Sequence, residues 1–426
     1  MIQRIVFRLR NSQLFKDSFW AVFGNGLGNV LLLVAGIFIA RFLGKDIYGE
    51  YGMVKTTMFH MAYFSTFGLS YTTTKFIAEY KSKDETRLRS ITESSIMLTF
   101  LCAIVISILL FCFSKQLAYF INAPQLKTAF RFLSVIIVFR AINTTGAGLL
   151  AGYKRFKELG INNIIAGLVM LFLSIPLTYF YGLFGSLSAL AFSQFVLAIL
   201  NLYVVRQLIR NLLNQGNESF YKRLLSFSVP VAIQEFSYTI CNWGGNLLIT
   251  KYASLGALGI FSASSQWFAI VLFLPSLLQN VILSYLSGFV GKEQSTNTIF
   301  KKMILINFIC ALIPFLVVLL LSSYIVSFYG PTFVEMKPVL CLLVFATIPK
   351  TLSNVYVANL LANNRNWLLS CLRVSRDVIQ IIVLYSILNF LIGYNSPIYY
   401  SLNQVFVEFL FLVSLLLLNK KRNETL

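Results

Sequence analysis

The chain has 426 residues, of which 58% are hydrophobic and 12% are charged, and this composition excludes an ordinary soluble globular protein. Lys and Arg outnumber Asp and Glu by 35 to 15, which gives a formal net charge of +20. Most of these cations flank apolar segments, a pattern that indicates membrane topology and argues against nucleic acid as a partner. The six cysteines lie scattered in apolar segments without metal-ligand spacing, so no metal site is predicted.

Twelve apolar segments are long enough to cross a bilayer, which needs about 20 residues for each helix. The sequence therefore predicts an all-α polytopic membrane protein with 12 transmembrane helices. Residues 1–17 are basic and amphipathic and are predicted to be a retained flank rather than a signal peptide. The predicted helices cover residues 18–40, 47–74, 91–113, 127–151, 159–181, 184–207, 224–249, 257–288, 300–328, 334–361, 366–391 and 397–418.

The distribution of cations predicts the orientation of these helices. With the N-terminus in the cytoplasm, 23 of the 35 Lys and Arg residues fall in cytoplasmic segments, six in outer segments and six within helices. Cytoplasmic loops carry the excess of Lys and Arg in membrane proteins. Both termini are therefore predicted to be cytoplasmic.

A fixed offset of 210 residues relates the two halves of the chain. It places Gly49 on Gly259 and Arg155 on Arg365. Each half contains an even number of predicted helices, so the halves form parallel repeats with a substrate site between them near the membrane midplane. We predict an N-lobe at 1–210, a cytoplasmic linker at 211–223 and a C-lobe at 224–426.

Arg140 and Lys350 are separated by the same 210 residues, and each lies near the middle of a predicted helix. A charge at that depth costs between about 2.5 and over 10 kcal/mol when it faces lipid. Both side chains should therefore face a polar interior, where they would attract an anion such as phosphate. The alternative is that each pairs with a carboxylate and fixes the packing of two helices.

Four further cations within predicted helices are candidates for the same anionic group, namely Lys55, Arg131, Arg373 and Arg376. Lys55 could instead extend to the outer surface while its stem covers apolar residues. Arg373 and Asp377 are four residues apart, so we predict an intrahelical ion pair between them. This pairing would leave Arg376 without a local partner.

The first predicted helix contains Asn25 and Asn29 among closely spaced glycines. Gly24 and Gly28 have the spacing of a helix–helix contact. The other interpretation is a bent helix whose Asn25 and Asn29 line a polar cavity.

The seventh predicted helix carries Gln234, Glu235 and Asn242, and we predict Gln234 and Asn242 as further polar groups lining the cavity. Glu235 could be a site for a coupling proton or cation, or the ion-pair partner of an arginine. Glu50 and Asp377 are the other candidates for ion coupling.

No motif in the sequence predicts an enzyme. There is no Walker loop, no HExxH sequence and no Cys–His cluster. The outer loops are too short for a catalytic face, and the sequence predicts no cofactor.

The segment Arg41-Phe42-Leu43-Gly44-Lys45-Asp46-Ile47-Tyr48-Gly49-Glu50-Tyr51-Gly52, the Gly- and Asn-rich first helix and the twelve-helix pattern resemble the polysaccharide exporter branch of the multidrug/oligosaccharidyl-lipid/polysaccharide (MOP) superfamily. The likeness is strongest to O-antigen and capsule repeat-unit flippases. It implies a V-shaped two-lobe transporter in the bacterial inner membrane. Such a protein moves an undecaprenyl-pyrophosphate-linked oligosaccharide from the inner to the outer leaflet by alternating access.

The resemblance also implies roles for individual residues. Arg140 and Lys350 would meet the anionic head group, and Glu235 or Glu50 could carry a proton if transport is coupled to H⁺ or Na⁺. The polysaccharide polymerase machinery is a possible partner, and a complete two-lobe cavity needs no second copy, so a monomer is expected to function.

Two other functions remain open from the sequence. A multidrug exporter of the same architecture handles mostly cationic substrates and should carry acids rather than bases at the midplane. A membrane polymerase or ligase of lipid-linked sugars would need a long outer loop, which this chain lacks.

Overall fold

The computed structural model describes residues 13–210, 212, 220–288, 293–362, 365–390 and 397–424. These ranges are helical apart from short turns. The helices are α1 Gln13–Thr66, α2 Leu69–Lys83, α3 Leu88–Phe120, α4 Lys127–Gly152, α5 Phe156–Arg210, α6 Tyr221–Tyr252, α7 Leu255–Gly288, α8 Glu293–Tyr329, α9 Met336–Ala362, α10 Asn366–Phe390 and α11 Pro397–Glu424.

Two helices are each long enough to cross a membrane twice. α1 has 54 residues and α5 has 55, or about 80 Å at 1.5 Å per residue, against a hydrocarbon core of about 30 Å. Each is interrupted by a glycine with a positive φ, Gly44 (φ 71°) in α1 and Gly182 (φ 54°) in α5. Glycine adopts this conformation without a Cβ clash, so each break separates two spans.

The helix inventory is consistent with the predicted twelve-helix fold. Eight of the described helices are long and apolar enough to span a membrane, and the two broken helices are among them. α6 and α10, with 32 and 25 residues, also have the length of a span. The predicted second helix, 47–74, is too long, because Phe67 and Gly68 both have positive φ and separate α1 from α2.

The described chain packs as two compact units. Unit 1 comprises Met1–Phe42 and Met53–Trp243, and unit 2 comprises Leu43–Gly52 and Gly244–Leu426. The division therefore falls within α6, whereas the predicted linker was 211–223, most of which lies outside the described residues.

Contacts of α6 explain why its first part belongs to unit 1. The hydroxyl of Ser228 donates to Thr72 Oγ1 at 2.8 Å. Phe236 lies edge-on to both Phe64 and Phe67.

α4, which carries Arg140, is the central helix of unit 1. It packs against α2, α3 and α5. Of the 18 residues that form its most apolar stretch, 67% are buried, which is the highest share among the candidate spans. Gly148 and Gly152 allow the close approach of α2, since a Cβ at Gly148 would lie 2.2 Å from the Ser70 carbonyl oxygen. Thr74 Oγ1 then donates to the Gly148 carbonyl at 2.8 Å.

α9, which carries Lys350, has the corresponding place in unit 2. It packs against α7, α8 and α11, and 56% of its most apolar window is buried. Arg140 and Lys350, which the 210-residue offset relates, therefore each lie on the helix with the largest buried share among the candidate spans of its unit.

The segment 43–52 belongs to unit 2 because it crosses α7 at two glycines. A Cβ at Gly49 would lie 1.8 Å from the Leu255 carbonyl oxygen, and one at Gly259 would lie 2.0 Å from the Lys45 carbonyl oxygen. Gly49 and Gly259 are the residues that the offset relates. Tyr48 is 1% exposed, so this motif serves helix packing.

Backbone hydrogen bonds support the repeat at the level of local structure. Arg155 N–H donates to the Leu150 carbonyl at 2.8 Å, and Arg365 N–H donates to the Leu360 carbonyl at 3.0 Å. A hydrogen bond of the same spacing thus lies between α4 and α5 and between α9 and α10.

Candidate functional site

Unit 1 encloses a polar cavity of about 440 Å³ beside the central helix α4. This volume lies within the range of about 300–1,000 Å³ that is usual for small-molecule sites. α1, α2, α4, α5 and α6 all contribute to its walls. The lining residues are Tyr63, Thr66, Ser70, Tyr71, Thr74, Arg140, Asn143, Thr144, Ala147, Asn163, Leu197, Asn201 and Glu235.

Arg140 provides the positive charge of this cavity. Its Cζ lies 4.4 Å from the centroid of the Phe59 ring, a cation–π contact that contributes about 0.5–2 kcal/mol. Its Nε is buried and has no hydrogen-bond partner among the described residues. No described carboxylate lies within ion-pair distance of the guanidinium. Arg140 therefore retains donors for an anionic ligand.

Lys55 lies on α1, the same helix as Phe59. Its Nζ is 5.8 Å from the Phe59 ring centroid, and its charge interacts repulsively with that of Arg140. Lys55 does not line the cavity, but its charge adds to the positive potential around Arg140.

Glu235 lies in the same cavity as Arg140. Its side chain is exposed, and within the described part of the chain no Lys or Arg forms an ion pair with it. The predicted alternative, in which Glu235 is the ion-pair partner of an arginine, is thus not the arrangement in this structure.

Three asparagines add hydrogen-bonding groups to the cavity wall. Asn143 donates from Nδ2 to the Gln194 backbone carbonyl at 3.0 Å and to the Gln194 side chain at 3.2 Å. Asn163 donates from Nδ2 to Asn25 Oδ1 at 2.5 Å. Asn201 accepts at Oδ1 from Asn162 at 3.0 Å. Asn143 and Asn163 are thus each held in place by a neighbouring helix, and Asn201 is held by a residue of α5 on the other side of the break at Gly182.

Lys350 lies in unit 2 and forms an ion pair there. Its Nζ is 2.9 Å from Glu408 Oε1, and the two side chains are 23% and 3% exposed. Gln404 also donates to Glu408 Oε1, at 3.2 Å, and Gln380 donates to Gln404 at 2.8 Å. The alternative of a carboxylate partner therefore applies to Lys350 but not to Arg140.

The predicted ion pair between Arg373 and Asp377 is wrong. Asp377, which is 2% exposed, instead accepts from Nη2 and Nε of Arg376, at 2.7 and 2.9 Å. The Arg376 side chain also lies over Phe411, with Cζ 5.0 Å from the ring centroid. A long guanidinium side chain can thus fold back onto the adjacent carboxylate, which spacing along the helix does not reveal.

The first helix uses its glycines for packing. A Cβ at Gly24 would lie 2.4 Å from Gly160 Cα, and one at Gly28 would lie 3.1 Å from the Asn163 carbonyl oxygen. Asn25 supports the cavity through Asn163, while Asn29 is exposed and is not part of the cavity wall. The helix-contact interpretation of this glycine motif accounts for these distances.

Several other predicted site residues lie away from the cavity. Arg131 donates to Ser114 at 3.2 Å and stacks on Phe111, and Asn242 donates to the Tyr238 carbonyl of its own helix at 2.7 Å. Glu50 and Arg373 belong to unit 2. The Gln234 side chain lies outside the described residues.

Sequence reasoning missed most of the uncharged wall of the cavity. Asn143, Thr144 and Ala147 follow Arg140 at positions i+3, i+4 and i+7, so helical periodicity could have placed them on the same face. Asn163 and Asn201 carry no such signal, because buried amides occur equally at helix contacts.

Known proteins resemble this chain over most of its length. A proposed O-antigen transporter from Shigella flexneri is 20% identical over 324 residues, which cover 74% of this chain and 75% of that protein. A multidrug resistance MATE family transporter of the MOP superfamily, solved in an inward-facing conformation, superimposes with a TM-score of 0.80 at 14% identity and covers 93% of this chain and 95% of its own. The lipid II flippase MurJ, in an inward closed conformation, gives a TM-score of 0.75 at 14% identity over 95% of this chain and 87% of its own.

These structural similarities show that the chain has the fold of MOP superfamily transporters, as the sequence predicted. The two solved structures are described as a transporter and a flippase. Residues 14–287 match the sequence profile of the family described as Polysaccharide biosynthesis protein. The chain, a multi-pass membrane protein with the MOP fold, therefore belongs to the polysaccharide biosynthesis protein family.

Proposed function

We propose that this protein is a flippase that moves a polyprenyl-pyrophosphate-linked oligosaccharide across the bacterial inner membrane. The observation that carries the proposal is Arg140, a cation in a polar cavity of a membrane protein with no carboxylate partner among the residues that the structure describes. The family membership and the similarity to an O-antigen transporter support a lipid-linked sugar as the substrate.

The chemistry of Arg140 fits a phosphate group. A guanidinium presents several N–H donors in a planar arrangement that matches phosphate oxygens. Lys55 raises the positive potential nearby, and a low-dielectric wall strengthens the attraction for an anion. A neutral lipid would leave Arg140 Nε buried and without a partner, which is unfavourable.

Lys350 is the proposed second contact for the anionic head group. It is bound to Glu408 in this structure, so a phosphate would have to compete with this carboxylate. We propose alternating access of two lobes, with Glu235, Glu50 and Asp377 as candidates for H⁺ or Na⁺ coupling and with both termini in the cytoplasm. A single chain would function as a monomer.

Export of cationic drugs is the second candidate function. Glu235 favours it, because this exposed carboxylate lines the cavity, has no ion-pair partner in the described part of the chain and so suits a cationic substrate. The MATE-like fold is compatible with either function. The two candidates predict opposite effects for substitutions of Arg140 and Glu235.

The proposal can be tested by transport of a fluorescent polyprenyl-pyrophosphate glycan in proteoliposomes. Arg140→Ala should lower the transport rate about 10- to 100-fold, since a hydrogen bond to a charged group contributes about 1.5–3 kcal/mol. Arg131→Gln is the matched control, because Arg131 is on the same helix but contacts Ser114 outside the cavity, and it should retain transport. Wild-type rates in a stably folded Arg140→Ala protein would refute the proposal.

A further inference from the structure

The cavity of unit 1 contains hydrogen-bond acceptors that an ionised phosphate, which has no donor, cannot satisfy. From these acceptors we infer, resting on the proposed function, that the cavity holds an uncharged, hydroxyl-rich sugar next to the pyrophosphate. We further infer that Glu235 selects against acidic sugars at this position.

Two amide oxygens provide the first part of the argument. Asn143 commits its Nδ2 to Gln194, and its Oδ1 is buried without a hydrogen-bond partner among the described residues. Asn163 commits its Nδ2 to Asn25, which leaves its Oδ1 as the amide group still able to bind a ligand. Both residues line the cavity. These two amides therefore offer acceptors and require a ligand that donates.

An ionised phosphate accepts hydrogen bonds but has no donor, whereas a hydroxyl group both donates and accepts. A phosphate placed against Asn143 Oδ1 would leave this buried acceptor unsatisfied, at a substantial desolvation penalty. A sugar hydroxyl satisfies it. The phosphate thus belongs with Arg140, and the asparagine side of the cavity belongs with a polyol.

The remaining wall also suits a sugar ring. Ser70 contributes a hydroxyl group that can act in either direction, whereas Thr74 and Thr144 donate to the carbonyls of Gly148 and Arg140 and so offer acceptors. Tyr71 lines the cavity and is 60% exposed, so its ring presents an apolar surface on which the C–H face of a sugar can pack.

Glu235 determines which sugars are accepted. Its carboxylate accepts from hydroxyl or amide N–H groups, and within the described residues no cation neutralises it. A uronic acid in the cavity would bring a second carboxylate close to that of Glu235. Repulsion between the two charges should reduce binding about tenfold or more.

The test compares three probes in binding to the purified full chain in detergent. The probes are bare polyprenyl pyrophosphate, the same lipid carrying a neutral disaccharide, and the same lipid carrying a disaccharide with one hexuronic acid. The wild-type protein should bind the neutral glycan at least about tenfold more tightly than the acidic glycan. Glu235→Gln, which keeps the shape of the side chain, should reduce this preference to about twofold or less.

Two further variants make the result specific. Asn143→Ala should weaken the neutral glycan about tenfold relative to the bare lipid. Glu158→Gln is the control for charge removal, because Glu158 pairs with Arg155 at 3.0 Å and does not line the cavity, and it should retain the wild-type preference. Thermal unfolding of each variant confirms that it is folded.

The outcomes separate this inference from the proposed function. Equal wild-type affinity for the neutral and acidic glycans, or an unchanged preference in Glu235→Gln, would overturn the inference while the flippase proposal stands. Failure of the wild-type protein to bind any of the three lipids would overturn the flippase proposal itself.

Discussion

The ion pair between Lys350 and Glu408 leads to a quantitative prediction. Glu408 is 3% exposed, and its Oε1 accepts from Lys350 while its Oε2 is buried without a described hydrogen-bond partner. Removing one partner of a buried pair costs about 3–5 kcal/mol, because the other charge is left uncompensated. Lys350 is 23% exposed, so water supplies part of the compensation. We therefore expect Lys350→Met to destabilise the protein by about 2–3 kcal/mol.

Removing the carboxylate partner instead of the ammonium should destabilise the protein less. Glu408→Gln keeps an acceptor for Gln404 and leaves Lys350 partly solvated, so a loss of about 1 kcal/mol is expected. The double variant Lys350→Met/Glu408→Gln should lose less unfolding free energy than the two single variants lose together. The difference, which is the coupling free energy, should be at least about 1 kcal/mol. Reversible unfolding of the purified protein in mixed detergent micelles measures all three values.

The same variants report on ligand binding. In Glu408→Gln no carboxylate competes with phosphate for the ammonium of Lys350. The affinity for polyprenyl pyrophosphate should therefore rise about three- to tenfold if Lys350 contacts the head group. Additive stabilities in the cycle would refute the ion pair as a stabilising contact. Unchanged affinity would remove Lys350 from the binding site.

Two further stability predictions use matched variants. Gly49→Ala should destabilise unit 2 by about 1–3 kcal/mol, because its Cβ would lie 1.8 Å from a backbone oxygen. Gly245→Ala, whose Cβ would have its nearest contact at 3.6 Å, should be neutral or slightly stabilising. Similar melting temperatures of the two variants would contradict this packing. Arg376→Gln should cost about 3 kcal/mol, because it leaves the buried Asp377 without its ion-pair partner. Arg373→Gln should lower the stability clearly less than Arg376→Gln. A larger loss of thermal stability in Arg373→Gln would instead support an ion pair between Arg373 and Asp377.

The fold could be predicted from the sequence because bilayer physics leaves few alternatives. Apolar segments about 20 residues long must be helices in a membrane, and charges are rare within them. The breaks were harder to locate. Gly44 lies at a predicted boundary, but the interruption at Phe67–Gly68 involves a phenylalanine with φ 47°, a conformation that no residue-type preference predicts.

The site could be predicted only where a charge is expensive. Arg140 is detectable because an arginine at the midplane requires a polar surrounding. Its neutral companions Asn143 and Asn163 carry no comparable penalty and so no comparable signal. Lys350 and its partner Glu408 lie 58 residues apart in the chain, and pairing across helices depends on packing that spacing does not encode.

Residues 43–52 pack with unit 2, and residues 221–243 pack with unit 1. Cleavage at 211–223 would therefore give two fragments, each lacking a segment that packs within its own unit. Neither fragment should fold alone as stably as it does in the intact chain.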